Sequence, residues 1–478
     1  MQPAEDRLPD LATPECTRTT RQVHPSAPGD RPPTDVAAAF AVALHMHQPL
    51  IPAGGPDLAT AAVVSNLRHM IENPAIPDAH NAAAFLDCYG RMGEIVPRLV
   101  AEGLEPRVML DYSGCLLHGL IQMGRGDVID RLRPLATDPR YIPCVEWLGT
   151  AWGHAVAPST PPQDFRLHVR AWRLHYGSIF GPEALARVRG FSPPEMALPN
   201  HPDVCYEFVR TLRECGYDWV LVQEHTVEAD DGGPVRDPHL PHRLAARNSN
   251  GEEASIVALV KTRGSDTKLV GQMQPYYEAK GLARATLDGR SIPRLVSQIA
   301  DGENGGVMMN EFVPKFEQVM REAARPGAHV PPTTGSEYLA HVTAAGVSQA
   351  DFPVLRPLFH HRIRDRLNGR GPDALADALA SIKEADPTFH VEGGSWTNDR
   401  SWVAGYAGVL GPMRAASAAF AQHIAGQGVP ASDPRHRAAL FHLLCAQTSC
   451  FRYWGEGTWA DYGRELCRRA ILAANGAD

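Results

Sequence analysis

None of the nine cysteines stands in a CxxC pair, which removes a zinc knuckle or a disulfide framework and favours reduced thiols. No apolar run approaches the ~20 residues that a bilayer-spanning helix requires. Basic charge is not in excess: 46 Lys+Arg stand against 54 Asp+Glu, an unfavourable balance for nucleic acid or an anionic membrane. The opening "MQPAEDRLPDLATPE" has neither the basic n-region nor the apolar h-region of a signal peptide. Together these absences lead us to expect a cytoplasmic globular protein that binds neither nucleic acid nor membrane. Residues 1–38 are rich in Pro, Asp, Arg and Thr and have no apolar period, so a disordered tail is expected there.

From residue 39 onward, short apolar runs alternate with helical patterns. Seven strands are expected: "AFAVALH" (39–45), "RVMLDYS" (107–113), "YIPCVEWLG" (141–149), "RVRGFS" (187–192), "YDWVLVQE" (217–224), "ASIVALVK" (254–261) and "RLVSQIAD" (294–301). Continuous apolar strands separated by amphipathic helices indicate an α/β fold with a parallel sheet, and six or seven such units fit a closed barrel better than an open sheet. After about residue 346 the apolar spacing is helical almost throughout. The expected organisation is therefore a tail (1–38), a barrel (39–345) and a mainly helical C-terminal domain (346–478) bordering the cleft.

In a parallel barrel the functional groups gather just beyond the carboxyl ends of the strands. The first strand ends in His45, His47 and Gln48. The third is followed by Glu146, Trp147, Trp152 and His154, the fourth by Glu195, the fifth by Glu224 and His225, and the seventh by Asp301, Glu303 and Asn304. Carboxylates can perform acid–base and nucleophilic work on glycosidic bonds, and indole faces stack on sugar rings, so a sugar-processing rim is expected. Taken singly, Glu195 could equally be a helix N-terminal carboxylate and Asp301 a turn residue before Gly302.

The ordered set "HMHQP" (45–49), "WGHAVAP" (152–158), "PPE" (193–195), "DGEN" (301–304) and "GGSW" (393–396) resembles glycoside hydrolase family 57. The resemblance implies an incomplete, TIM-barrel-like (β/α)7 barrel followed by helices, and a retaining enzyme of the amylase, 4-α-glucanotransferase or branching type acting on α-glucan oligo- or polysaccharide without cofactor or metal. Carried over by motif, it makes Glu195 the nucleophile and Asp301 the general acid/base. Burial and the nearby Glu303 would both raise the Asp301 carboxyl. His45, His47, Gln48 and His154 then read as sugar-hydroxyl ligands, with Trp147, Glu224, Glu303 and Trp396 as further substrate contacts. Trp454 and Trp459 are candidates either for stacking along a glucan chain or for helix packing.

Some positions depart from the family pattern. Phe191 and Ser192 stand where a tryptophan usually precedes the nucleophile, Ala404 interrupts a Trp-x-Gly pattern, and Gly305 and Gly306 follow "DGEN". Two rival classes follow from the same residues. His45 and His47 on one strand face, with Asp301, could hold zinc in a deacetylase-like or mannosidase-like enzyme. Alternatively, the depleted aromatics fit a catalytically silent carbohydrate binder.

Overall fold

The computed structural model describes residues 9–11, 36–263, 267–303, 306–396, 400, 406–453 and 456–476. All seven expected strands are present: β1 (Ala38–Met46), β2 (Val108–Tyr112), β3 (Val145–Leu148), β4 (Gly190–Phe191), β5 (Trp219–Gln223), β6 (Glu253–Lys261) and β7 (Arg294–Asp301). They pair in parallel in the order β3-β2-β1-β7-β6-β5-β4. The circle closes just past the end of β3, where Gly149 bridges Phe191: the Gly149 N–H donates to the Gly190 carbonyl at 2.9 Å, and the Ser192 N–H to the Gly149 carbonyl at 2.8 Å. The β6–β7 seam is thin, resting on the single pair Lys261 and Ser297.

Strand parity divides the core into two layers. Ala39, Ala41 and Ala43 of β1 pack inward with Met109, Leu148, Leu221, Leu259 and Ile299. Phe40, Val42 and Leu44 face outward and join the larger core made with the helices. A side-chain period of two makes this division, and it carries the inward face of β1 on to His45.

Further strands that apolar runs do not announce flank the barrel, in both parallel and antiparallel pairings. His242–Arg247 pairs antiparallel with β6, and Val354–Pro357 pairs with both His242–Arg247 and Val227–Ala229. The chain therefore still adds a strand to the sheet beyond residue 345, where a mainly helical domain was expected. This short segment lies between His242–Arg247 and Val227–Ala229 and takes its strand character from those neighbours. Further on, Ile363, Leu375, Ile382 and Phe389 form a small core of their own.

The helices Ala407–Phe420, Pro434–Ala446 and Gly457–Asn475 follow, sharing the main core with Trp152 and Ala155. No helix among the described residues is long and apolar enough to cross a membrane. The expected tail lies mostly outside the described residues, but Leu11 within it is buried in the main core.

Gly149 has no room for a side chain, since a Cβ there would lie 2.1 Å from the Tyr217 hydroxyl. Gly149→Ala should therefore cost about 1–3 kcal/mol by overpacking. A urea midpoint lowered without a change in slope would show this, whereas an unchanged midpoint would mean that the barrel closure gives way freely.

Candidate active site

The parallel register sets the site. On β1, His45 is paired with Asp301 of β7 on one side and with Asp111 of β2 on the other. All three continue the inward parity of their strands, so an imidazole sits between two acids at the mouth of the barrel. His45 Nδ1 lies 2.9 Å from Asp111 Oδ2, and Asp111 is only 1% exposed. Burial opposes a charge on His45, but Asp111, Asp301 and Glu303 outweigh it and raise its pKa to about 9. Its Nε2 is buried and has no partner among the described residues.

His47 and His154 complete a stack of three imidazoles. The ring centroids of His45 and His154 are 4.5 Å apart, and those of His154 and His47 are 4.1 Å apart. Burial, reinforced by the neighbouring histidines, holds both His47 and His154 far below the ordinary histidine pKa. His47 Nδ1 lies 2.8 Å from the Ser113 hydroxyl, and its Nε2 lies 3.3 Å from both the Thr448 hydroxyl and Cys450 Sγ. The two rings of the His-x-His pair therefore do not converge on a common point. No group of three or more His, Cys, Asp or Glu among the described residues could hold a metal ion.

Glu195 is on a strained turn. It has φ 59°, and Met196 and His154 also have positive φ, at 48° and 58°. Such conformations cost roughly 1–3 kcal/mol each and gather where the surrounding structure must aim a side chain. Trp396 ties the turn from both ends: its Nε1 donates to Glu195 Oε2 at 2.7 Å and its backbone N–H to the Glu195 carbonyl at 3.0 Å. Glu195 Oε1 is 3.8 Å from His154 Nδ1, which in turn lies 2.7 Å from the Ser449 hydroxyl. Burial, and then the charge of Asp301, push the Glu195 carboxyl above its usual range, while Ser449, Trp396 and His45 pull it back.

The loop after β7 is clamped against β1. Gly302 donates from its N–H to the His45 carbonyl at 2.7 Å, and a Cβ there would strike Met46 Cε at 2.1 Å. Arg91 is buried and donates to the carbonyls of Gly302 and Met308, each at 2.8 Å. Glu303 Oε1 accepts from the His47 N–H and from the Tyr89 hydroxyl, each at 3.2 Å. Burial, followed by the charge of Asp301, pushes Glu303 up to about 7, so the like-charge effect expected of this pair is felt by Glu303.

Several expected ligands have other places. Trp147 lies on the outward face of β3 among Tyr112, Tyr176 and Phe180, so strand parity puts it in the core rather than in a sugar cleft. Trp459 packs against Phe451 and Tyr462, which is the helix-packing alternative. Gln48 is buried and accepts from Asn66 Nδ2 at 2.9 Å. Glu224 accepts from the Arg263 N–H at 2.7 Å in the loop beyond β5. Trp396, 44% exposed, presents an open face beside Glu195. Trp454, Asn304, Gly305 and Ala404 lie outside the described residues.

Sequence reasoning missed Asp111, Ser113, Tyr89, Arg91 and Ser449. Only Asp111 gave a signal, as a lone charge inside an apolar strand. The run after Ala446 is fastened to the loop after β3 and to the helix Pro162–Phe180 beyond it: Gln447 donates to Asp164 at 2.6 Å and lies 3.0 Å from His168, and the Ser449 N–H donates to the His154 carbonyl.

The sequence profile of glycosyl hydrolase family 57 matches residues 41–330, more than half of the chain. The chain belongs to glycosyl hydrolase family 57. No curated protein matches it at the sequence level. Among solved structures it is similar to the 4-α-glucanotransferase from Thermococcus litoralis, with 18% identity and a TM-score of 0.55, covering 91% of this chain and 58% of that one. It is also similar to a branching enzyme of this family from Pyrococcus horikoshii (13%, 0.52, covering 91% and 88%) and to an α-amylase from Thermotoga maritima (12%, 0.51, covering 92% and 93%). The family 57 chain described here thus spans little more than half the length of the first of these.

The Glu303 carboxyl supports a pH-dependent stability prediction. Its folded pKa of about 7 exceeds the ordinary 4.5, so the folded state holds a proton that the unfolded chain has already released, and stability falls as pH rises between those values. Glu303→Gln should remove this term and leave stability at least about 1 kcal/mol less dependent on pH between 5 and 8. Urea denaturation at the two pH values measures it, and an identical dependence in both proteins would refute it. Trp147→Ala should cost about 3–5 kcal/mol without altering sugar affinity, by thermal melting and ligand titration.

Proposed function

We propose that this family 57 protein is a retaining glycosidase or glucanotransferase that acts on α-1,4- or α-1,6-linked glucan by double displacement. The observation that carries the reading is the placement of Glu195: a half-buried carboxylate on a strained turn, held by Trp396 and close enough to Asp301 to feel its charge. Two carboxyl groups at one strand-end cleft are what a retaining mechanism needs, one on each side of the anomeric carbon. The α-glucan substrate is inferred from the structural neighbours, which include a 4-α-glucanotransferase, a branching enzyme and an α-amylase.

In the first half-reaction the ionised Glu195 attacks the anomeric carbon. The glycosidic C–O bond breaks as its oxygen takes the proton of Asp301. In the second half, Asp301 takes a proton from water or from an acceptor hydroxyl. That oxygen attacks the anomeric carbon and releases Glu195 as a carboxylate. His45, with one ring nitrogen committed to Asp111, and His154 each keep an Nε2 for sugar hydroxyls, and the open face of Trp396 forms a wall beside Glu195.

Incubation with maltoheptaose, with the products resolved by size, tests the reading. Shorter products alone indicate hydrolysis, and shorter together with longer ones indicate transfer. Glu195→Gln should abolish both, and Asp301→Asn should slow the reaction roughly 10²–10⁴-fold. Binding of maltoheptaose without any product would instead identify a silent carbohydrate binder, and full activity in Glu195→Gln would overturn the nucleophile assignment.

A further inference from the structure

The site holds four carboxyl groups, Asp111, Glu195, Asp301 and Glu303, and their placement raises a question about charge. A nucleophile must be ionised, yet burial and Asp301 both disfavour a charge on Glu195. The cation placed to counter them is His45. On β1 it is flanked in register by Asp111 and Asp301. His47 and His154 stack beside it, and burial keeps both neutral. Glu303 acts on it from the loop after β7, and Glu195 lies one ring away: its Oε1 is 3.8 Å from Nδ1 of His154, which stacks on His45 at 4.5 Å. Of all these groups, Asp111 alone is joined to the His45 ring by a direct ion pair, at 2.9 Å.

We propose that Asp111 is a positioning residue for the reaction: it fixes His45 as an imidazolium at the barrel mouth, and that fixed charge keeps Glu195 ionised. This rests on the role proposed above for Glu195. The arrangement is directional. Asp111 is 1% exposed and takes Nδ1, so the imidazolium must present Nε2–H as its remaining donor. A second buried carboxylate in place of a neutral partner is costly unless it meets a charge, which is the physical reason for an acid rather than an amide at position 111. The stack also confines the charge, because a proton on His154 or His47 would stand face to face with the one on His45.

Two kinds of measurement test the proposal. In protein labelled at its histidine rings, NMR assigned with His45→Gln should show the His45 ring titrating near 9. In Asp111→Asn it should titrate more than two pH units lower, and in Asp111→Glu near the wild-type value. This measurement needs no catalytic activity, so it is independent of the glycosidase reading. The second is the pH profile of kcat/KM on maltoheptaose. In Asp111→Asn the acid limb, set by Glu195, should move up, with kcat at pH 7 reduced more than tenfold and KM changed less. A profile lowered uniformly with both limbs in place would overturn the relay to Glu195. If Asp111→Asn does not fold, the wild-type titration still decides: a His45 pKa at or below 6.5 would overturn the proposal.

Discussion

One parallel register underlies everything at the mouth of this barrel. β1 is the strand from which β2 and β7 both take their alignment, and at the level of His45 that alignment sets Asp111 and Asp301 in line with it. Adjacent strands are about 4.8 Å apart, so groups pointing inward at the same level cannot avoid one another's fields. A slip of one residue in either pairing would turn Asp111 or Asp301 toward the helices. The alanines below His45 keep the interior narrow enough for β2 and β7 to hold it from both sides, and the Gly149 closure completes the circle that fixes their positions.

The rest of the site is arranged around His45. The loop after β7 cannot drift, because Gly302 is bonded to the His45 carbonyl and Arg91 grips the same turn. Glu195 is brought in on a left-handed turn that an ordinary strand end would not supply, and Trp396 secures it from a segment some two hundred residues away. The C-terminal helices belong to this structure rather than to a separate module. Ser449 meets His154 and Thr448 meets His47, while Gln447 anchors the same segment to Asp164 and His168 beneath.

Local pattern was legible where it was continuous. All seven barrel strands are apolar runs that an alternation of strand and helix announces, and the polar residues just beyond them include His45, Glu195 and Asp301. What pattern could not show was which face a residue takes when a strand is buried on both sides. Trp147 stands near the end of a strand run and reads as a rim aromatic, yet it points outward into Tyr112, Tyr176 and Phe180. Val354–Pro357 gave no strand signal, because its conformation comes from the partners that it borders.

The sequence by itself determined the type of fold, the order of the motifs and the identity of the carboxyl groups, because hydrophobic period and residue chemistry are properties of a linear chain. Only the tertiary structure decided which of those groups share a field. It put Asp111 beside His45, bonded Glu303 to His47 and Tyr89, and recruited Ser449 from the turn after the helix Pro434–Ala446. Those relations depend on distances across separate strands and loops, and a charge is felt through space rather than along the chain.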